Sequence, residues 1–103
     1  GGNLRCFLKL AGTRYWPDLA GSVLLVESLG ASLKALAAGL AHHAHLGTFG
    51  KVAGIAVGQL TAVDEAGQRE AALALVGEYA GRTPVIQAPG LGHSADSQAA
   101  TLG

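Results

Sequence analysis

Three short apolar runs, at residues 23–26, 52–60 and 83–88, alternate with segments whose apolar residues recur at helical spacing. No other feature limits the fold so strongly. Short runs rich in β-branched residues and flanked by glycine read as strands buried on both faces. Strands separated by helical crossovers imply a mostly parallel sheet with right-handed connections.

The first run, Val23-Leu24-Leu25-Val26, follows Gly21 and ends at Glu27, Ser28 and Gly30. Leu33, Leu36, Ala37, Leu40, Ala41 and Ala44 then mark one helix face, stopped by Gly47. Gly39 inside that helix points to close packing on a sheet. VAGIAVGQL at 52–60 is the second strand, and Asp64-Glu65-Ala66-Gly67 is a polar connector. Ala72, Leu73, Leu75, Val76 and Tyr79 form a further helix face, stopped by Gly81. TPVIQA at 83–88 is the third strand, with Pro84 at its tolerated first position.

Ahead of these, Gly1-Gly2-Asn3 reads as a turn with Asn3 as an N-cap. Leu4, Phe7, Leu8 and Ala11 give a short helix closed by Gly12. Residues 13–22 are loop, broken hardest at Trp16-Pro17-Asp18. Residues 89–103 are a loop, with a short terminal strand expected near Ala100-Thr101-Leu102. The predicted fold class is α/β, a mostly parallel central sheet covered by about three helices.

At 103 residues the chain is one domain, 1–103. Seven basic and seven acidic side chains leave no net charge, so the basic excess of a nucleic-acid binder is missing. No apolar run approaches a membrane span and no basic amphipathic stretch suits a membrane surface. Half the residues are hydrophobic and 14% are charged, a composition that folds. The single Cys6 excludes an internal disulfide, fits a reducing compartment and reads as a small buried hydrophobe. The sequence has no methionine and opens on no signal peptide, as expected of a fragment of a longer reading frame.

In parallel α/β sheets, functional groups collect beyond the carboxyl ends of strands. That rule selects Glu27, after the first strand, and His93, after the third. A carboxylate that accepts an imidazole N–H fixes the ring's tautomer and stabilises the imidazolium, which is the base half of a hydrolytic triad. On spacing alone the plainer reading comes first, a solvated strand-end Glu and an exposed loop His. His42 and His45 stand three residues apart on a helix, a spacing that can chelate metal, but a structural zinc site wants four ligands. His42-His43-Ala44-His45 is better read as a polar face at a helix C-terminus, where imidazolium complements the dipole. No metal and no cofactor is expected. Gly90-Leu91-Gly92 lacks the lysine and the helix start of a phosphate loop.

The segments GGNL at 1–4, Gly12-Thr13, PDLAGSVLLVE at 17–27, VAGIAVGQL at 52–60, Pro84-Val85, Pro89-Gly90-Leu91-Gly92-His93 and Leu102-Gly103 occur in one register. In them the chain resembles the C-terminal domain of the LD-carboxypeptidases (muramoyltetrapeptide carboxypeptidases), the family that also holds the microcin C self-immunity peptidases. The resemblance implies a swivelling β/β/α domain with a central parallel sheet and a second sheet. It implies a serine peptidase with a Ser-Glu-His triad, Glu27 and His93 matching its Glu and His. The nucleophile belongs to an N-terminal domain that this chain lacks. Ser22, Ser28, Ser32, Ser94 and Ser97 have no strand-to-helix elbow, so the isolated chain is expected to be inactive. Ser28 stands where the family commonly has Asp, and the chain stops before the last family segment.

The implied substrate is a murein L,D-tetrapeptide or a microcin-like peptidyl nucleotide, and the implied partner is the N-terminal nucleophile domain in a cytoplasmic enzyme. The resemblance also admits a homodimer of the full-length protein. The alternative, from another class, is a free-standing, non-catalytic binding or assembly module of the same fold.

Overall fold

A computed structural model describes residues 1–101. Leu102 and Gly103, which close the motif set above, lie outside the described residues. In chain order the elements are β1 (Gly2–Asn3), α1 (Leu4–Leu8), β2 (Val23–Ser28), α2 (Leu33–His45), β3 (Gly54–Leu60), α3 (Thr61–Glu65), α4 (Arg69–Ala80) and β4 (Val85–Gln87). A single 3₁₀ turn, Thr48–Gly50, follows α2.

The four strands form one sheet in the order β1-β2-β3-β4, and every neighbouring pair is parallel. Strand order therefore equals chain order. Each right-handed crossover steps one strand along in the same direction, which stacks the helices on one face of the sheet. The register agrees: Leu24, Ile55 and Val85 stand side by side, as do Val26 and Val57. Leu24, Val26, Ile55 and Val57 meet Leu36 and Leu40 of α2, and Ala72, Val76 and Ala80 of α4, in one buried core. The other face carries Val23, Leu25, Ala56 and Ile86, of which Val23 and Ile86 are exposed.

Several local expectations differ from the structure. Residues 1–3 are not only a turn, because Gly2 and Asn3 pair with Val26 and Glu27 as a fourth strand. Gly1 approaches β2 so closely that a β-carbon on it would lie 2.5 Å from the Leu25 backbone. Asn3 does cap α1, its Oδ1 accepting the Cys6 N–H at 3.1 Å. The helix itself ends at Leu8; tighter bonds from Leu10 N–H to Phe7 O and Ala11 N–H to Leu8 O continue it as turns to Gly12. Gly39 packs against Leu4 of α1, where a β-carbon would meet Leu4 Cδ2 at 2.6 Å, and not against the sheet.

The expected polar connector at 64–67 is partly helix. Asp64 accepts the Leu60 N–H at 3.2 Å and pairs with Arg69 at 3.0 Å, while Val63 is buried, so α3 begins directly at the end of β3. The second strand starts at Gly54, not Val52, and the third is trimmed to three residues. Ala100 and Thr101 form no strand. Among the described residues there is one sheet, and the second sheet implied by resemblance is not among them.

β2 and β3 fall out of step next to the strand ends. Val26 pairs with Val57 and Ser28 with Leu60, so Gly58 and Gln59 together oppose the single residue Glu27. This is a β-bulge in a parallel pair, an irregularity that bends a strand and re-aims side chains. It reverses the alternation, so Leu60 enters the core and Gln59 is released from it.

Candidate active site

Glu27 sits at the carboxyl end of β2 and is 6% exposed. The carboxylate has room there because its neighbour across the bulge is Gly58, which offers no side chain. His93 belongs to the loop after β4. Its Nδ1 lies 2.8 Å from Glu27 Oε2, with the imidazole half exposed and the carboxylate nearly buried. A carboxylate oxygen accepts, so Nδ1 donates the proton of this bond. The structure thus brings the two strand-end residues together and leaves Nε2 as the nitrogen not engaged by Glu27.

The loop that carries His93 is bound to β3 along its length. Ala88 N–H donates to Val57 O at 2.8 Å, continuing the ladder one residue past β4. Gln59 N–H donates to Leu91 O at 2.7 Å. The Gln59 side chain donates through Nε2 to Pro89 O at 2.9 Å and to Ser94 Oγ at 2.7 Å. Its Oε1 accepts the Ser94 N–H at 2.9 Å. Sequence reasoning passed over Gln59 as one residue of an apolar run. Its signal was a lone polar side chain beside a glycine at the end of an otherwise apolar strand.

Arg69 of α4 donates to Asp64, to Gly58 O and to Gln87 Oε1. The guanidinium thereby ties the ends of β3 and β4 to the helix layer. A cleft of about 680 Å³ runs between α1 and α2, lined by Asn3, Arg5, Ser28, Ser32 and His42 among others; neither Glu27 nor His93 lines it. Asn3 neighbours Glu27 in the sheet register and Ser28 follows it in the chain.

The serines have local duties. Ser22 Oγ donates to Leu19 O, Ser28 Oγ accepts the Ala31 N–H, Ser32 caps α2, and Ser94 Oγ is held by Gln59.

The histidine cluster divides. His43 is not on a polar face: it continues the buried stripe of Leu36 and Leu40 and is fully enclosed. Its ring lies among Phe7, Trp16 and Phe49, at centroid separations of 5.9–6.2 Å. Burial foremost, then the neighbouring His42 charge, lowers its pKa to about 4, so it is neutral and does not complement the helix dipole as imidazolium. Nδ1 bonds Thr48 Oγ1 at 3.0 Å, and Nε2 is buried without a partner. A proton on Nδ1 leaves Nε2 a bare acceptor, a milder cost than a bare donor. Among the described residues no three His, Cys, Asp or Glu side chains gather as a metal set. Cys6 is exposed, not a buried hydrophobe, because α1 turns Leu4 inward and Cys6 away. No helix among the described residues is long and apolar enough to cross a membrane.

Comparisons with known proteins add to this geometry. The chain superposes on muramoyltetrapeptide carboxypeptidase from Oxalobacter formigenes with a TM-score of 0.74 and 27% identity, over 94% of this chain and 35% of that one. It also superposes on an active-site mutant of a microcin self-immunity protein in its apo state. There the TM-score is 0.76 and the identity 22%, over 90% of this chain and 29% of that one. The chain spans about a third of the length of these solved structures. No curated protein sequence matches it. The family model for the LD-carboxypeptidase C-terminal domain matches residues 1–103. Because that model matches the sequence from end to end, this chain belongs to the LD-carboxypeptidase C-terminal domain family.

Proposed function

We propose that this chain supplies the acid–base half of a serine carboxypeptidase, with His93 as general base and Glu27 as the group that orients it. The observation that carries the reading is the 2.8 Å bond from His93 Nδ1–H to Glu27 Oε2 at the carboxyl edge of the sheet. The nucleophile is a serine of an N-terminal domain of the same polypeptide.

In the acylation step Nε2 removes the serine proton as the oxygen attacks the scissile carbonyl carbon. The imidazolium that forms keeps its Nδ1–H on the Glu27 carboxylate. It then protonates the departing amine as the carbon–nitrogen bond breaks. Water, deprotonated by the same Nε2, attacks the acyl-enzyme, and the proton returns to the serine as that ester breaks. Glu27 remains ionised throughout.

The substrate class is a peptide amide adjoining a free carboxylate, as in a murein L,D-tetrapeptide, or the related bond of a peptidyl nucleotide. The family and the name of the Oxalobacter relative support the first. The reading places the enzyme in cytoplasmic turnover of cell-wall peptides, where an exposed Cys6 thiol persists. The 103-residue chain alone has no attacking atom and turns over neither substrate.

The deciding experiment joins this chain to its upstream coding sequence and assays release of the terminal amino acid from an L,D-tetrapeptide. Turnover by the two-domain polypeptide, lost in His93→Ala, is the expected result. Turnover that survives His93→Ala overturns the reading, as does robust turnover by the isolated chain. An upstream sequence without a serine at a strand-to-helix elbow favours a binding module instead.

A further inference from the structure

We propose that Gln59 is the positioning residue of this site: its side-chain amide clamps the loop on both sides of His93 and so keeps the imidazole on Glu27. The inference rests on the functional reading above for its kinetic consequence, though not for its structural one.

A half-exposed imidazole on an irregular loop is poorly held by a single bond. His93 belongs to no helix or strand; residues 88–94 cross the end of β3 without joining the sheet beyond Ala88. Four hydrogen bonds from one residue supply what the loop lacks. Before His93, Gln59 Nε2 holds Pro89 O and Gln59 N–H holds Leu91 O. After it, Nε2 and Oε1 hold Ser94 at its hydroxyl and at its backbone N–H. Both amide protons and the amide oxygen are in use, so the donor and acceptor inventory of a carboxamide is matched. Packing closes the clamp, since a β-carbon on Gly92 would lie 2.5 Å from Gln59 Cβ.

The bulge explains how a β3 residue reaches this loop. In regular alternation Gln59 would share the face of Ile55 and Val57, under the helices. With Gly58 and Gln59 both opposite Glu27, the Gln59 side chain meets the loop and Leu60 takes the core position. The irregularity that seats Glu27 is therefore the one that delivers the clamp to His93. Few other side chains fit: leucine fills the space and makes none of the three side-chain bonds. Glutamate accepts from Ser94 and has no proton for Pro89 O.

The test compares Gln59→Leu and Gln59→Glu with the unaltered protein by two readouts. In the 103-residue chain, the Nδ1–H proton of His93 is followed by NMR. It should be observable in the unaltered chain, lost to water exchange in Gln59→Leu, and partly retained in Gln59→Glu. In the two-domain polypeptide, Gln59→Leu should lower kcat on the order of 10²-fold, the scale of a displaced reacting group. KM should stay within roughly threefold, and Gln59→Glu should recover part of the loss. A merely structural role would reduce the folded fraction while leaving the resonance intact in what remains folded.

A folded Gln59→Leu chain that keeps the resonance and kcat overturns the proposal. If Gln59→Leu does not fold, Gln59→Glu decides: a weakened resonance supports the clamp and an unchanged one overturns it. Turnover that survives His93→Ala removes the catalytic reading of the site. The NMR comparison still decides whether Gln59 holds the loop.

Discussion

Gly58 and Leu91 meet backbone to backbone: a β-carbon on Gly58 would fall 2.5 Å from the Leu91 carbonyl oxygen and 3.1 Å from Glu27 Cβ. The loop bearing His93 can lie on β3 only because position 58 has no side chain. Gly58→Ala should therefore lift residues 89–94 away from the sheet. Overpacking of this kind costs about 1–3 kcal/mol. The expected result is a lower urea midpoint together with loss of the His93 Nδ1–H resonance. An alanine variant with both unchanged would show that the loop accommodates the methyl group freely.

Glu27→Gln tests the orienting role. A carboxamide can offer its NH₂ to the ring and stabilise the wrong tautomer, with the proton on Nε2. In serine peptidases that error costs on the order of 10⁴-fold in kcat. In the two-domain polypeptide, kcat for an L,D-tetrapeptide should fall by that order and KM should change little. Near-normal kcat would remove Glu27 from the mechanism.

His43 makes the stability of the chain pH-dependent. Its folded pKa is depressed to about 4 from 6.5. Between those values the unfolded chain binds the proton and the folded chain does not, so stability is full above about pH 6.5 and falls as the pH drops toward 4. The loss from pH 7.5 to 5 should be about 2 kcal/mol, read as a falling urea midpoint. His43→Leu should flatten that slope, although it orphans the buried Thr48 hydroxyl and lowers stability at neutral pH. A native chain equally stable at both pH values would mean that His43 titrates without resistance.

Cys6 should react with Ellman's reagent in the folded state, one thiol per chain, with no need for denaturant. Its exposure on α1 is the basis. Reaction only after unfolding would place α1 differently from the arrangement described.

What could be read in advance follows from how each signal arises. Residues 23–26 and 54–60 were legible as strands because continuous β-branched and aliphatic residues flanked by glycine favour extended backbone; the expected burial on both faces holds for β3 but not for β2, where Val23 is exposed on the face that no helix covers. Glu27 and His93 were legible because a parallel sheet collects its strand ends on one edge. β1 was not, since a two-residue strand of Gly and Asn has no periodicity and exists only because β2 offers an edge. The bulge opposite Glu27 was not, because register belongs to two strands at once and neither sequence contains it. His43 was misread as polar although it continues the 36, 40 spacing of a buried stripe; the identity of the side chain outweighed its position. Cys6 failed the opposite way, its type suggesting burial that a five-residue helix could not extend to it.

Because strand order repeats chain order, each strand pairs with the strand just before it in the sequence, and the sheet can assemble from the amino end. The Glu27–His93 contact spans 66 residues, far beyond any strand-to-strand step. Closing so long a loop is entropically the last event to be rewarded. On a ribosome this ordering separates architecture from reactivity: a nascent chain can acquire its complete sheet while still lacking the imidazole. His93, the base under the proposed function, follows all four strands in the sequence, so residues 1–87 can hold the complete sheet before the imidazole is available.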